Sequence, residues 1–132
     1  MLVVDASVAA KWALPEPNSG RALALHARGE SLLAPSLIAA EIGNAAWKRV
    51  RRGLLTRDQG LEAIRIAVEL ISRIVPDIEL YQPAAALAVD FGHPIYDCFY
   101  VALASREQST LVTADARLLA LASRIGISVE AL

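Results

Sequence analysis

The sequence has few of the residues on which small secreted or zinc-bound domains depend. Its 132 residues include one cysteine, Cys98, and two histidines, His26 and His93. A single cysteine cannot form an internal disulfide, and neither histidine has a cysteine or histidine partner at the spacing of a zinc site. We therefore expect a reducing compartment, with the cytoplasm as the default, and no zinc site.

Long apolar runs and an excess of one charge are also missing. The chain is 55% hydrophobic, yet no apolar run approaches the roughly 18 residues that a membrane span needs. Residues 1–14 lack the basic start of a signal peptide and are interrupted by Asp5 and Lys11. The net charge of −1 gives no global sign of nucleic-acid binding. We expect no membrane association, no export and a protein interface made from the surplus apolar surface.

Short apolar runs alternate with longer helical patterns, which is typical of an α/β fold. We predict strands at 2–4, 31–34, 78–81, 110–112 and 127–129. The predicted helices are 6–14, 19–29, 36–52, 57–74, 83–91, 97–107 and 116–125. Helices between strands imply parallel pairing with right-handed crossovers. The prediction is a three-layer α/β/α sandwich with a central parallel sheet, in one domain over residues 1–132.

Three aspartates stand where predicted helices begin. Asp5 and Asp115 follow apolar strands, and Asp97 follows a proline-bearing turn. Each suits an N-cap, because aspartate accepts hydrogen bonds from the first turn and its charge favours the positive end of the helix dipole. Asp5 and Asp115 also fall beyond the carboxyl ends of strands, where open α/β sheets bind ligands. Capping and ligand binding are therefore both open for these residues.

Glu41 lies inside the stretch PSLIAAEIGNAAW, where capping does not explain it. It lies on or beside an apolar stripe that includes Ile38 and Ile42. Glutamate is almost never fully buried unless paired, so a salt bridge to an arginine is the structural alternative. Four carboxylates gathered at one edge of a sheet would repel one another, and Mg²⁺ or Mn²⁺ would relieve that repulsion. Such a site suits phosphodiester hydrolysis by a metal-activated water.

Four motifs spread in order across the chain, VVDASVAAKW, PSLIAAEIGNAAWK, HPIYDCFYVALA and LVTADARLL, resemble those of the PIN-domain ribonucleases. Within that family they resemble the VapC toxins of prokaryotic toxin-antitoxin pairs. The resemblance implies an α/β/α fold and an endoribonuclease that depends on Mg²⁺ or Mn²⁺. It also implies structured RNAs such as tRNA as targets, frequent homodimerisation and inhibition by a cognate VapB-like antitoxin.

By position, the resemblance assigns four acids to the family's catalytic set: Asp5, Glu41, Asp97 and Asp115. The three aspartates would hold the metal, directly or through water, and the glutamate would orient or deprotonate the attacking water. Ser7 and Thr113 match hydroxyl positions beside this set. Their structural alternatives are a hydrogen bond in the first turn of a helix and a β-branched residue at a strand end.

The densest positive cluster follows Glu41 at the end of the same predicted helix: Lys48, Arg49, Arg51 and Arg52. It suits an RNA backbone, because phosphate contacts release counterions. Basic residues in a last helical turn also stabilise the negative end of the helix, so both interpretations stay open. Three aromatic residues that flank Asp97 are interpreted as packing residues: Tyr96, Phe99 and Tyr100.

Three other functions compete with a toxin nuclease. A phosphoacceptor receiver also binds Mg²⁺ with aspartates at strand ends, but its pocket would want adjacent early acids and a late lysine. This chain has a single early Asp5 and no lysine beyond Lys48. A non-catalytic interaction domain would use the acids as caps and salt bridges. A stand-alone RNA-processing PIN nuclease would have the same catalytic acids but no antitoxin.

Overall fold

Five parallel strands form one sheet in the computed structural model, which describes residues 1–132. The strands are β1 (Leu2–Val4), β2 (Leu32–Pro35), β3 (Arg73–Val75), β4 (Thr110–Thr113) and β5 (Val129–Ala131). Their order is β3-β2-β1-β4-β5. β1 is central, with Leu2 paired to Leu32 on one side and to Thr110 on the other. β1 and β2 are buried throughout, as expected of parallel strands covered on both faces.

Seven α-helices connect the strands: α1 (Ala6–Ala13), α2 (Ser19–Ala27), α3 (Ile38–Arg51), α4 (Arg57–Glu69), α5 (Tyr81–Phe91), α6 (Ile95–Glu107) and α7 (Ala116–Ile125). A 3₁₀ helix covers Asp77–Glu79. Helix α1 contacts α2, α3 and α4, whereas α5 packs along α6, which lies against β1, β2 and β4. The chain runs from β1 to β3 and then reverses to β4, so right-handed crossovers place these two helix groups on opposite faces. The predicted α/β/α sandwich is confirmed, and no helix has the length and apolar character of a membrane span.

Local sequence signals fix several helix ends. At α4, Thr56 Oγ1 accepts a hydrogen bond from Gln59 N, and Gln59 Oε1 accepts one from Thr56 N. This reciprocal pair is a capping box, which satisfies two backbone donors at the start of the helix. Helix α7 ends at Gly126, whose φ of +88° is a left-handed conformation that glycine adopts without strain.

The helix predicted at 57–74 is too long, because α4 ends at Glu69. Ile71 continues the apolar spacing of the helix, so periodicity alone does not mark its end. Pairing with β2 does: Ser72 N donates to Leu32 O at 2.8 Å, and Leu32 N donates to Ser72 Oγ at 3.0 Å. Tertiary hydrogen bonds to a neighbouring strand therefore stop this helix.

The strand predicted at 78–81 is wrong. The third strand lies earlier, at Arg73–Val75, and residues 78–81 comprise the end of the 3₁₀ helix, Leu80 and the first residue of α5. Pro76 interrupts the pairing after β3, and Asp77 O then accepts a hydrogen bond from Leu80 N at 2.9 Å. The last strand, β5, begins at Val129 rather than at residue 127.

Gly60 of α4 lies against Val50 of α3, where the two helices approach closely. A methyl group added at Gly60 would come within 2.6 Å of Val50 Cγ2, whereas one added at Gly43 would meet only Ile64 Cδ1, at 3.9 Å. We expect Gly60→Ala to lower the free energy of unfolding by about 1 kcal/mol or more. Gly43→Ala should raise it by up to about 1 kcal/mol, because alanine is the better helix former. Denaturant unfolding of both variants measures the difference, and equal stability would contradict this packing.

Candidate active site

The carboxyl ends of β1 and β4 lie side by side at the centre of the sheet. The chain leaves β1 toward β2 and leaves β4 toward β5, so the connections diverge between these two strands. In open α/β sheets a crevice at such a reversal is the usual place for a ligand. Asp5 follows β1 directly, and Asp115 follows β4 after one intervening residue, Ala114, so both stand at this edge.

Asp5 is the only buried carboxylate in the chain, with 4% of its surface exposed. Ser7 Oγ donates to Asp5 Oδ1 and Thr113 Oγ1 donates to Asp5 Oδ2, each at 2.6 Å. Val8 N also donates to Oδ1, at 3.2 Å, which makes Asp5 the N-cap of α1. Burial raises the pKa of Asp5 to about 6, although these three hydrogen bonds oppose the shift. Asp5 is therefore both a cap and a desolvated carboxyl group.

The hydroxyl groups of Ser7 and Thr113 connect the two strand ends. Thr113 Oγ1 accepts a hydrogen bond from Asp115 N at 2.9 Å while it donates to Asp5. Ser7 Oγ accepts one from Ala114 N, also at 2.9 Å. Both hydroxyls thus do more than satisfy a local turn, because they fix the loop after β4 against the carboxylate after β1.

Asp115 lies in the exposed part of the crevice and caps α7. Its Oδ1 accepts hydrogen bonds from Arg117 N at 2.8 Å and Leu118 N at 3.1 Å. Its Oδ2 has no hydrogen-bond partner within the protein. The predicted cap is confirmed, and one oxygen stays available at the crevice.

Asp97 is not an N-cap, in contrast to the sequence prediction. Helix α6 begins at Ile95, so Asp97 is its third residue and Pro94 occupies the cap position. The half-buried Asp97 carboxylate instead places Oδ2 at 2.7 Å from His93 Nε2. From the sequence, His93 is considered only as a possible zinc ligand and this contact is not predicted, because His93 precedes α6 and helical spacing does not apply to it.

Glu41 lies half-buried in the first turn of α3 and makes no salt bridge. Tyr100 donates its hydroxyl to Glu41 Oε1 at 2.7 Å. Burial raises the pKa of Glu41, and the negative charges of Asp5, Asp97 and Asp77 raise it further, while the hydrogen bond from Tyr100 lowers it. The arginine pairing considered from the sequence is absent. The interpretation of Tyr100 as a packing residue is incomplete, because it also contacts a predicted catalytic acid.

The four predicted acids influence one another across the crevice. Asp115 raises the pKa of Asp5, and Asp5 and Asp97 raise that of Glu41. No three histidine, cysteine or carboxylate side chains converge closely enough to form a complete metal cage. The available ligands are carboxylate and hydroxyl oxygens, which suit Mg²⁺, and Mg²⁺ keeps several waters while binding one or two carboxylates. The residues present therefore fit a largely hydrated cation, with the remaining acids acting through water.

The basic cluster on α3 divides into engaged and free residues. Arg49 Nη2 lies 2.7 Å from Glu16 Oε1, and the Arg51 guanidinium lies over the Trp47 ring at 4.5 Å from its centroid. Lys48 and Arg52 are exposed and make no ion pair. Together with Arg49 and Glu41 they line an open groove of about 360 Å³, so the free positive charges begin two turns along α3 from Glu41.

The fold is that of an α/β protein whose acidic crevice lies where the order of a parallel sheet reverses. Comparison with known proteins identifies its family. Residues 2–124 match the family model of the PIN domain. Ribonuclease VapC3 from Pyrobaculum aerophilum is 35% identical over 119 residues, which cover 89% of this chain and 91% of that protein. This chain therefore belongs to the PIN-domain family, and the resemblance seen in its motifs is confirmed.

Solved structures share the fold. A crystal structure of PAE2754 from Pyrobaculum aerophilum aligns with a TM-score of 0.75 at 25% identity, over 97% of this chain and 81% of that one. A crystal structure of VapBC2 from Rickettsia felis, bound to a DNA fragment from its promoter, aligns with a TM-score of 0.69 at 16% identity. That alignment covers 99% of this chain and 98% of the other.

Proposed function

We propose that this protein is a toxin of the VapC type. It hydrolyses RNA phosphodiester bonds with Mg²⁺ or Mn²⁺, and a VapB-like antitoxin holds it inactive. The observation that carries this proposal is the crevice at the reversal of the sheet, where four acids lie without a basic partner other than His93. The name of the Pyrobaculum relative supports RNA cleavage, and the VapBC2 complex supports an antitoxin.

Asp5, Asp97 and Asp115 would hold the metal, and Glu41 would orient or deprotonate the attacking water. A bound cation supplies a more acidic water and a positive charge for the phosphate. Asp5 is held by two hydroxyls and Asp97 by His93, so neither carboxylate is free to turn away from the crevice. Glu41 Oε1 is engaged by Tyr100, so Oε2 is the atom available to take a proton from the water. Burial and nearby negative charge raise the pKa of Glu41, which favours a role as a base near neutral pH.

Lys48 and Arg52 are proposed to bind the RNA backbone along α3. Replacing both with alanine should weaken RNA binding and reduce its dependence on salt, because each phosphate contact to single-stranded RNA contributes roughly 0.7 to the slope of log K against log salt. Filter binding at several salt concentrations, with a catalytically inactive protein, measures this slope.

The matched control for that change is Arg21→Ala with Arg57→Ala, which removes the same charge from exposed positions on α2 and α4. An equal loss of affinity in both double variants would show that total charge, rather than the α3 groove, attracts RNA.

A homodimer stays a prediction. Its support is the exposure of large apolar side chains on the 3₁₀ helix and α5, where Ile78 is 76% exposed and Val89 is 82% exposed. Exposed apolar side chains of this size favour a protein partner.

The experiment that tests the proposed function is cleavage of a total small-RNA pool by purified protein freed of any antitoxin. Parallel reactions contain Mg²⁺, Mn²⁺ or EDTA, and the ends of the products are sequenced. Cleavage in the presence of either metal and none in EDTA supports the nuclease, and the end sequences identify its targets. A folded protein that cleaves no RNA with either metal contradicts the proposal and favours a non-catalytic interaction domain.

A further inference from the structure

We propose that Tyr100 is a positioning residue for Glu41, holding one carboxylate oxygen so that the other faces the reaction site. This inference rests on the proposed endoribonuclease function. It assigns a role in the reaction to a side chain whose burial alone would make it a residue of the core.

The contact joins two helices from opposite faces of the sheet. Glu41 is on α3 and Tyr100 is on α6, 59 residues apart in sequence. Tyr100 is 1% exposed, so surrounding side chains fix its ring and the hydroxyl has one direction in which to point. Its hydroxyl is the only donor that reaches the Glu41 carboxylate. A glutamate has three rotatable bonds, and this single contact from a rigid ring limits where its carboxylate can lie.

A neutral donor orients a carboxylate without neutralising it. Glu16 shows the contrasting case in the same protein, because Lys11 and Arg49 both contact it and together hold its pKa below the ordinary value. A carboxylate paired in that way is a poor base. The pKa of Glu41 stays raised although Tyr100 donates to it, because burial and the facing carboxylates outweigh one hydrogen bond. Tyrosine therefore supplies position while Glu41 keeps its basicity.

Removal of the hydroxyl tests the role without changing the shape of the core. Tyr100→Phe should lower kcat by roughly 10- to 100-fold, the effect typical of outer-shell partners in metal sites, with KM for RNA within about twofold of the native value. Tyr81→Phe is the control, because Tyr81 is 46% exposed on α5 and its hydroxyl accepts only from Gln82. The control should keep native kcat.

Two further readouts separate positioning from packing. Three carboxylates face Glu41, those of Asp5, Asp77 and Asp97, and loss of the Tyr100 donor should raise the pKa of Glu41 further above its ordinary value. The acid limb of the rate profile should then move to higher pH. Carbon-13 NMR of the Glu41 carboxyl in metal-free protein measures the same shift without any activity.

A second variant, Glu41→Asp, keeps the charge but shortens the side chain by one methylene, so that the carboxylate no longer reaches the Tyr100 hydroxyl. Its kcat should fall as well. Native kcat in folded Tyr100→Phe, or an unchanged Glu41 pKa in that variant, overturns the inference. Failure of the native protein to cleave RNA with either metal overturns the proposed function instead, so the two failures are distinguishable.

Discussion

Asp97→Asn is expected to remove RNA cleavage and leave the fold almost intact. The asparagine has nearly the same volume, and its side-chain oxygen can still accept a hydrogen bond from His93 Nε2, now 2.7 Å from Oδ2. The lost charge near the start of α6 costs only about 0.3–1 kcal/mol of helix stabilisation. If the metal is bound less well, the transition state at the phosphate loses several kcal/mol of stabilisation, and cleavage slows by roughly 10³-fold or more.

Single-turnover cleavage and thermal unfolding of the same preparation measure both expectations. Asp90→Asn is the matched control, because Asp90 is an exposed aspartate near the end of α5 that makes no hydrogen bond or ion pair with another side chain. If Asp97→Asn instead unfolds several degrees lower and cleaves RNA at the native rate, Asp97 is a structural residue.

Asp5→Asn is expected to stabilise the metal-free protein while it removes activity. Burial raises the pKa of Asp5 from an ordinary 3.8 to about 6, so the native state binds this proton more tightly than the unfolded chain does. Stability from this group is therefore full below pH about 4 and is lost as the pH rises through about 6. At neutral pH the buried charge costs about 3 kcal/mol. Asparagine carries no such charge.

Thermal unfolding at pH 7.5 in EDTA should show Asp5→Asn melting higher than the native protein by roughly 5 to 10 °C. The gap should close as the pH falls toward 4. Added Mg²⁺ should raise the melting temperature of the native protein only, because a ligand stabilises the state that binds it. Asp58→Asn, at a side chain that is 90% exposed, controls for loss of any carboxylate. A lower melting temperature for Asp5→Asn in EDTA would contradict a net cost of the buried charge.

The central sheet and the positions of two site residues could be predicted because short-range sequence signals agree with the tertiary structure there. Buried runs lead directly to Asp5 and to the turn before Asp115, and an aspartate at a strand end is also a good helix cap. At these positions the local capping preference of aspartate and the tertiary fold favour the same residue. β3 could not be located in the same way, because Ile71 extends the helical period while the strand is specified by Leu32 on β2.

Contacts between distant residues lay outside what one sequence indicates. Nothing near Tyr100 distinguishes a buried aromatic that only packs from one that donates to Glu41, since the partner is on another helix. The sequence also does not indicate which basic residues of α3 are paired, because the partner is distant: Arg49 binds Glu16, which is 33 residues away, whereas Lys48 makes no ion pair. His93 and Asp97 are closer in sequence, but His93 precedes α6, so helical spacing does not indicate this contact either.

The central claim is that the acids of the crevice act together as a divalent-metal site. Titration of Mn²⁺ into the metal-free protein, followed by electron paramagnetic resonance of the free ion, tests it most directly. The native protein should show saturable binding that Asp97→Asn loses at the same concentrations and that Asp90→Asn retains. Absence of Mn²⁺ binding by the folded native protein, or equal binding by Asp97→Asn, would contradict the account and leave the four acids as structural residues.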